Sequence, residues 1–284
     1  MVSWVGEENR KLGISLKLLA EEIFYRGHSK YFSSIIIGRS KAFGKFLILE
    51  EKGEPTLQIT EKWDTYSEML VHVPMCAHAN PKKILIVGGG DGATLREVLK
   101  HKSVEEVILV EIDREVIDKS KKYLKVDNGA FESEKVKIIN MDAVEFLNKE
   151  SLAAFDVIIG DYSDPYPEYA AYSLLSKTFY DRIKNITSKN GIISVQSGSP
   201  FLQPEILKAT YKIISKAFNK SYIYLAPVPF YPGGLWSFIT ASDVLDPRVP
   251  KKIIDSTIYY NEKIHEASFV LPSFIKKEIL SEDL

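Results

Sequence analysis

An apolar run that stops abruptly in glycine limits this chain more than any other feature. Lys83–Val87 reads Lys-Ile-Leu-Ile-Val, and Gly88-Gly-Gly-Asp-Gly92 follows it directly. A short apolar stretch bounded by glycine fits a buried strand, and helical spacing resumes over Ala93–Lys100. Glycine permits positive φ and lets backbone approach a ligand closely. The N-terminus of the next helix leaves its first N–H groups free. The same alternation then continues. Strands are predicted at Glu106–Glu111, Val136–Ile139, Phe155–Gly160 and Gly191–Gln196, and near Tyr222–Leu225 and Trp236–Ala241. Helices are predicted at Thr65–Ala79, Arg114–Tyr123, Ala143–Asn148, Ser176–Thr187 and Gln203–Ala217. Strands that alternate with helices build right-handed βαβ units, so the expected fold is α/β with a mostly parallel, doubly wound sheet.

Ligands of such sheets bind beyond the carboxyl ends of the strands. The residues there are acids. Asp91 lies inside the glycine turn; a carboxylate there repels phosphate, which disfavours a dinucleotide and suits an amine or a sulfonium. Glu111 stands about 20 residues after the turn, where an acid receives the ribose hydroxyls of a nucleoside. Asp113 reads as a helix N-cap. Asp142, before Ala143, can take an adenine amino group, cap the next helix, or do both. Asp161-Tyr-Ser-Asp164-Pro165 follows another buried strand. No Lys or Arg interrupts these segments, so the site favours a polycation and resists anions. That disfavours a substrate carboxylate such as the one on intact S-adenosylmethionine.

The remaining sequence bounds the class. The chain has 284 residues, 37 Lys and Arg against 38 Asp and Glu, and a net charge of −1. No basic excess points to nucleic acid. The single cysteine, Cys76, in an apolar stretch, reads as a buried packing residue and excludes an internal disulfide; a reducing, cytoplasmic compartment is expected. No apolar run of signal or membrane-spanning length is present, so no membrane association is expected. Few glutamines beside many Lys, Glu and Ile suit a thermophile or an AT-rich genome. No His, Cys or acid group has metal-ligand spacing, so no metal is expected. His72 reads as a packing or surface residue. Residues 1–60 have a different texture, with strand signals at Phe32–Ile37 and Ala42–Leu49 and a helical turn near Leu16–Ile23. They are expected to form a small antiparallel β domain before a catalytic domain over 61–284.

These motifs together resemble the polyamine aminopropyltransferases of the spermidine synthase family. The resemblance is carried by Gly88-Gly-Gly-Asp-Gly-Ala-Thr-Leu-Arg-Glu-Val-Leu-Lys-His101, Val110-Glu-Ile-Asp113, Asp161-Tyr-Ser-Asp-Pro165 and Tyr231-Pro-Gly-Gly-Leu-Trp-Ser-Phe238. Gln58–Lys62, Tyr66–Leu70, His72-Val-Pro74 and the early Trp4 with Glu7 add to it. It spans nearly the whole chain, with the motifs in order. The resemblance implies a small N-terminal β domain and a methyltransferase-like Rossmann domain, assembled as a homodimer or homotetramer. It implies transfer of the aminopropyl group of decarboxylated S-adenosylmethionine, a co-substrate, to a polyamine, with no cofactor. Asp161 then handles the proton of the attacking amine with Tyr66. Gly88, Gly90, Asp91, Glu111, Asp142 and Ala143 hold the nucleoside, and Ser33 takes a family nucleoside position. Trp4, Tyr66, Ser67, Asp91, Asp161, Asp164, Gln196 and Tyr231 line the polyamine channel.

The chain departs from the family pattern mostly around the acceptor. It has Phe32-Ser33 for Tyr-Gln, Tyr66-Ser67 for Tyr-His or Tyr-Gln, and Tyr162 for Ser. The loop Tyr166–Ser173 is long, and Gly-Ala-Thr stands at 92–94; both resemble relatives that use agmatine or spermidine. Putrescine is the first expected acceptor, with agmatine or spermidine as alternatives. Tyr169 and Tyr172 are expected to form a lid. Two rival readings share parts of this pattern. A small-molecule methyltransferase shares the nucleoside residues, and a non-catalytic polyamine-binding homologue shares the acids.

Overall fold

The computed structural model describes residues 3–10, 12–149 and 152–280. Strands β1 (Ser3–Asn9), β2 (Ile14–Gly27), β3 (Ser34–Ser40), β4 (Gly44–Glu51) and β5 (Glu54–Thr60) pair antiparallel in chain order. The helical turn expected near Leu16–Ile23 is instead the middle of the long strand β2. Its leucines and glutamates are good helix formers, but Leu16, Leu18 and Ala20 turn inward while Lys17, Leu19 and Glu21 face solvent. That period of two, with partners on both sides in β1 and β3, overrides local propensity. Register shifts between Ala20 and Tyr25 then bend the strand.

The second sheet has the order β11-β12-β10-β9-β6-β7-β8. It comprises β6 (Lys83–Gly88), β7 (Glu106–Glu111), β8 (Val136–Asn140), β9 (Phe155–Asp161), β10 (Thr187–Gln196), β11 (Lys220–Pro227) and β12 (Leu235–Ser242). Strands β8, β7, β6, β9 and β10 run parallel, and β12 and β11 close the edge antiparallel. The chain moves outward from β6 through β7 to β8, then returns to place β9 on the other side of β6. The crevice between β6 and β9 is therefore the topological switch point, where doubly wound sheets bind ligands.

The interior of each central strand is continuously apolar: Ile84, Leu85, Ile86, Val157, Ile159 and Ile193 are fully sealed from solvent. Strands covered on both faces require this pattern. Helix α1 (Thr65–Ala77) is buried along its whole length and packs its apolar side chains into the same core as the N-terminal sheet. Helix α2 (Ala93–Leu99) lies beside it. Helices α3 (Arg114–Lys119), α4 (Ala143–Leu147), α5 (Lys177–Asn185) and α6 (Pro204–Ala217) supply the other crossovers. Two short helices, α7 (Glu262–Ser268) and α8 (Ser273–Glu278), lie beyond the last strand, where the sequence carried no clear signal. Among the described residues, no helix is long and apolar enough to cross a membrane. Cys76 is fully buried, and burial pushes its thiol up to about 11, which suits packing rather than nucleophilic chemistry.

Candidate active site

The carboxyl ends of β6, β7 and β9 open into a cavity of about 1360 Å³, its mouth included. The glycine turn forms its floor. Gly88 has φ +84°, and a Cβ there would stand 2.1 Å from the Asp161 carbonyl oxygen. Only glycine fits a left-handed position pressed this close to a neighbouring strand. The Gly89 N–H donates to the same carbonyl at 2.9 Å. Gly90 brings its N–H to Glu111 Oε2 at 3.1 Å, and a Cβ there would meet that oxygen at 2.8 Å. The turn is thus fitted to β7 on one side and to β9 on the other.

The acids converge as follows. Asp91 Oδ1 accepts from the Ala93 N–H at 2.7 Å and so opens helix α2. Glu111 Oε1 accepts from the Asp113 N–H at 2.9 Å. Asp113 caps α3, and Asp142 caps α4 by accepting from Val144 and Glu145. Asp142 and Ala143 also line the cavity. Asp161 Oδ1 accepts from the Tyr66 hydroxyl at 2.7 Å. Asp164 is held by two amides: Gln196 Nε2 donates to Oδ1 at 3.1 Å, and Gln203 Nε2 donates to Oδ2. The Gln196 amide is oriented in turn, because its Oε1 accepts from Gly198 N–H and Trp236 Nε1. Tyr231 packs edge-on against Tyr66 and donates to the Gln58 carbonyl at 2.6 Å.

Burial and mutual repulsion disfavour charge on these acids. Burial pushes Asp161 and Asp164 above the usual carboxylate range. Asp91 is raised by burial and by the neighbouring Asp161. Glu111 is raised by burial to about 7. Burial sets the Tyr66 phenol far above its ordinary value, and Asp161 adds to this, so it remains a hydrogen-bond donor.

Several of the residues expected at the site from the sequence lie outside the cavity. Ser67 is buried in the first turn of α1, where its N–H donates to Asp64. Ser33 is exposed and donates to Glu50 beside its own hairpin. Trp4 is 66% exposed on strand β1. Tyr172 is about half exposed and outside the lining, whereas Tyr169 lines the cavity and donates to Glu54 at 2.7 Å.

Other contributors escaped the sequence reading. Glu7, Glu51 and Glu54 of the N-terminal sheet also line the cavity. Burial carries Glu7 up to about 8, despite the Leu57 N–H on its carboxylate and helped by Asp164. Gln203, which in the sequence marks only the start of a helix, holds Asp164. The early Glu7 near Trp4 is the one sequence signal pointing to this second acid group.

A match to the spermine/spermidine synthase domain covers residues 63–252. The chain belongs to the spermine/spermidine synthase family. It is an aminopropyltransferase. It is 41% identical to a polyamine aminopropyltransferase of Archaeoglobus fulgidus over 283 residues, covering 97% of this chain and 98% of that one. It is 38% identical to a polyamine aminopropyltransferase of Clostridium tetani over 265 residues, covering 92% of each. Among solved structures, a spermidine synthase in complex with the transition-state analogue AdoDATO superposes with a TM-score of 0.89 at 36% identity, covering 98% of this chain and 94% of that one. The spermidine synthase of Thermotoga maritima gives 0.88 at 37% identity, with the same coverage. Within this family frame, the crevice between β6 and β9 is the candidate active site.

Proposed function

We propose that this aminopropyltransferase moves the aminopropyl group of decarboxylated S-adenosylmethionine onto putrescine, giving spermidine and methylthioadenosine. One observation carries the reading. Eight carboxylates line the cavity, from Glu7, Glu51, Glu54, Asp91, Glu111, Asp142, Asp161 and Asp164, and no Lys, Arg or His stands among its described lining residues. Such a wall draws in two polycations and repels the carboxylate of intact S-adenosylmethionine. This also weighs against a methyltransferase.

Glu111 takes the ribose hydroxyls, Asp142 with the backbone of Ala143 takes the adenine, and Asp91 takes the ammonium of the aminopropyl arm. Gly88 and Gly90 bring backbone against the nucleoside. The acceptor lies between Tyr66, Tyr231, Gln196 and Asp164. Its attacking nitrogen arrives protonated, because a free amine has a pKa of about 10. Asp161 takes that proton, while the Tyr66 hydroxyl keeps the carboxylate oriented. The lone pair then forms the new N–C bond, the C–S bond breaks, and sulfur keeps the electron pair as a neutral thioether. Positioning of nitrogen, carbon and sulfur in line supplies much of the rate. A non-catalytic binding protein has no need of a proton acceptor at this position.

A second reading takes a longer acceptor, spermidine or agmatine. Glu7, Glu51 and Glu54 favour it, because they add three acids of the N-terminal sheet to the same lining as Asp164. The enzyme is further read as cytoplasmic and as a homodimer or homotetramer, with exposed Trp4 and its cross-strand partner Leu19 as apolar surface for a second copy. Sedimentation gives the subunit number. The deciding experiment incubates the protein with decarboxylated S-adenosylmethionine and, separately, putrescine, cadaverine, agmatine, spermidine and norspermidine, with products identified by mass. Fastest aminopropylation of putrescine supports the first reading, and fastest use of spermidine or agmatine supports the second. Methylthioadenosine release with none of them overturns both.

A further inference from the structure

Arg96 touches no part of the cavity wall, yet it joins the two helices that carry its working groups. It lies on α2, the helix opened by Asp91. Its guanidinium makes three bonds of 2.7 Å, from Nη2 to Asp64 Oδ2, from Nε to Glu97 Oε1 and from Nη1 to the Val126 carbonyl. Asp64 is the N-cap of α1, and its other oxygen accepts from the Ser67 N–H at 2.9 Å. Tyr66, whose hydroxyl rests on Asp161, is the second residue of that helix. Glu97 grips α1 a second time, since its Oε2 meets His72 Nε2 at 2.9 Å. Asp64 caps the first turn of α1, and His72 lies about two turns further along the same helix. The Arg96–Glu97 pair therefore holds α1 against α2 at two heights, at its cap and near its middle. A guanidinium suits this task because its planar fork reaches several acceptors at once, which an ammonium cannot do in fixed geometry.

We propose that Arg96 is a positioning residue for aminopropyl transfer, locking the first turn of α1 so that Tyr66 stays on Asp161 while Asp91 stays aligned with both. The inference rests on the reading of Asp161 as the proton acceptor. It has an electrostatic side. Asp91 feels Asp161, Asp64 and Arg96, Asp161 feels Asp64, and Tyr66, Tyr231 and Glu111 all feel Asp161. Asp64 opposes ionisation of both, and Arg96 favours ionisation of Asp91. Removing the two charges separately must therefore shift the acid limb of the kcat/KM profile in opposite directions.

The test is kinetic, with methylthioadenosine binding as the control. Wild-type product formation in the same assay tests the transfer reaction before any variant is compared. Arg96→Met is expected to lower kcat about 100-fold, the scale of a small misplacement of reacting groups. Its acid limb should move about one unit to higher pH. Arg96→Lys keeps the charge and should keep the limb near its wild-type position, while kcat still falls. Asp64→Asn keeps a good cap and should move the limb to lower pH. Methylthioadenosine lacks the aminopropyl ammonium, and its affinity should not change in any variant. Wild-type kcat and pH profile in both Arg96 variants overturn the proposal, as does a loss of methylthioadenosine affinity equal to the loss of kcat. Where Arg96→Met does not fold, the double variant with Asp64→Asn removes both charges together. A kcat below that of Asp64→Asn alone then supports the positioning role, and an equal kcat overturns it.

Discussion

Two groups of buried acids lie within one short helix of each other, and the protein treats them in opposite ways. Around Arg96, every acid has a cationic partner: Asp64 and Glu97 share the guanidinium, and Glu97 also holds His72 and Lys100. Burial opposes charge on Glu97, but His72, Arg96 and Lys100 more than offset it and hold the carboxyl at about 2. Around Asp161, the acids have only neutral partners: a phenol, two amides and backbone N–H groups. The first group is complete without a ligand. The second has no cationic hydrogen-bond partner among the described residues, and buried acids without counter-charge belong to function more often than to stability.

The sharpest way to break this contrast is to neutralise one acid in each group. Asp161→Asn is expected to lower turnover about 100-fold or more, the scale of a lost general base, while methylthioadenosine binding measured by calorimetry stays intact. Wild-type turnover in that variant removes Asp161 from the proton transfer. Glu111→Gln should weaken methylthioadenosine binding by about 10-fold, as expected when a hydrogen bond to a charged group is lost. In the wild type the same affinity should decline as pH falls below about 7, where Glu111 gains its proton. In the compensated group the damage should appear in folding. Glu97→Ala removes one member of a buried ionic network and is expected to cost about 3 kcal/mol of unfolding free energy in urea titration.

A gentler probe is pH alone. Glu7 and Glu111 rise from 4.5 to about 8 and about 7 on folding. A raised acid binds its proton more tightly when folded, so its stabilising effect is complete below 4.5 and is lost as pH climbs through the folded value. The ligand-free protein should therefore melt at lower temperature as pH rises from 4.5 to 8. Added spermidine should recover most of that loss at the alkaline end. A melting temperature that rises across this window contradicts the contrast. The smallest effect is expected for Tyr169→Phe, which removes the Glu54 bond and should change KM for the acceptor a few-fold, with kcat nearly unchanged; a single hydrogen bond contributes about 1 kcal/mol.

The two groups were also unequally legible in the sequence. Asp91, Glu111, Asp161 and Asp164 could be picked out because a parallel sheet places strand-end residues together, whatever their distance along the chain. The compensated group had no such guide. His72, Glu97 and Arg96 sit at ordinary helical positions, and their meeting depends on how α1 and α2 pack. His72 read as a packing or surface residue; it is fully buried and bonded to Glu97 and His101. The N-terminal sheet was harder still. The inward and outward alternation of β2 breaks at its register shifts, and its Leu, Ala and Glu residues suit a helix equally well. Glu51 and Glu54 could not be assigned to the site without knowing that their hairpin reaches the loop beyond Asp164, where the Ala170 N–H donates to Glu51 at 2.9 Å.

The contact between Gly88 and Asp161 bears on how the site comes into being. These two residues are register partners in the pairing of β6 with β9. The glycine turn and Asp161 thus meet as the last rung of a ladder whose lower rungs are plain aliphatic core. No separate event has to assemble them. Because successive side chains of a strand alternate between faces, sliding β9 by one residue would send Asp161 to the wrong side of the sheet and bury a polar group in oil. The same apolar pairing that rules out that slip also keeps the chemistry aligned, so selection for a well-packed sheet and selection for an active enzyme act on one and the same register.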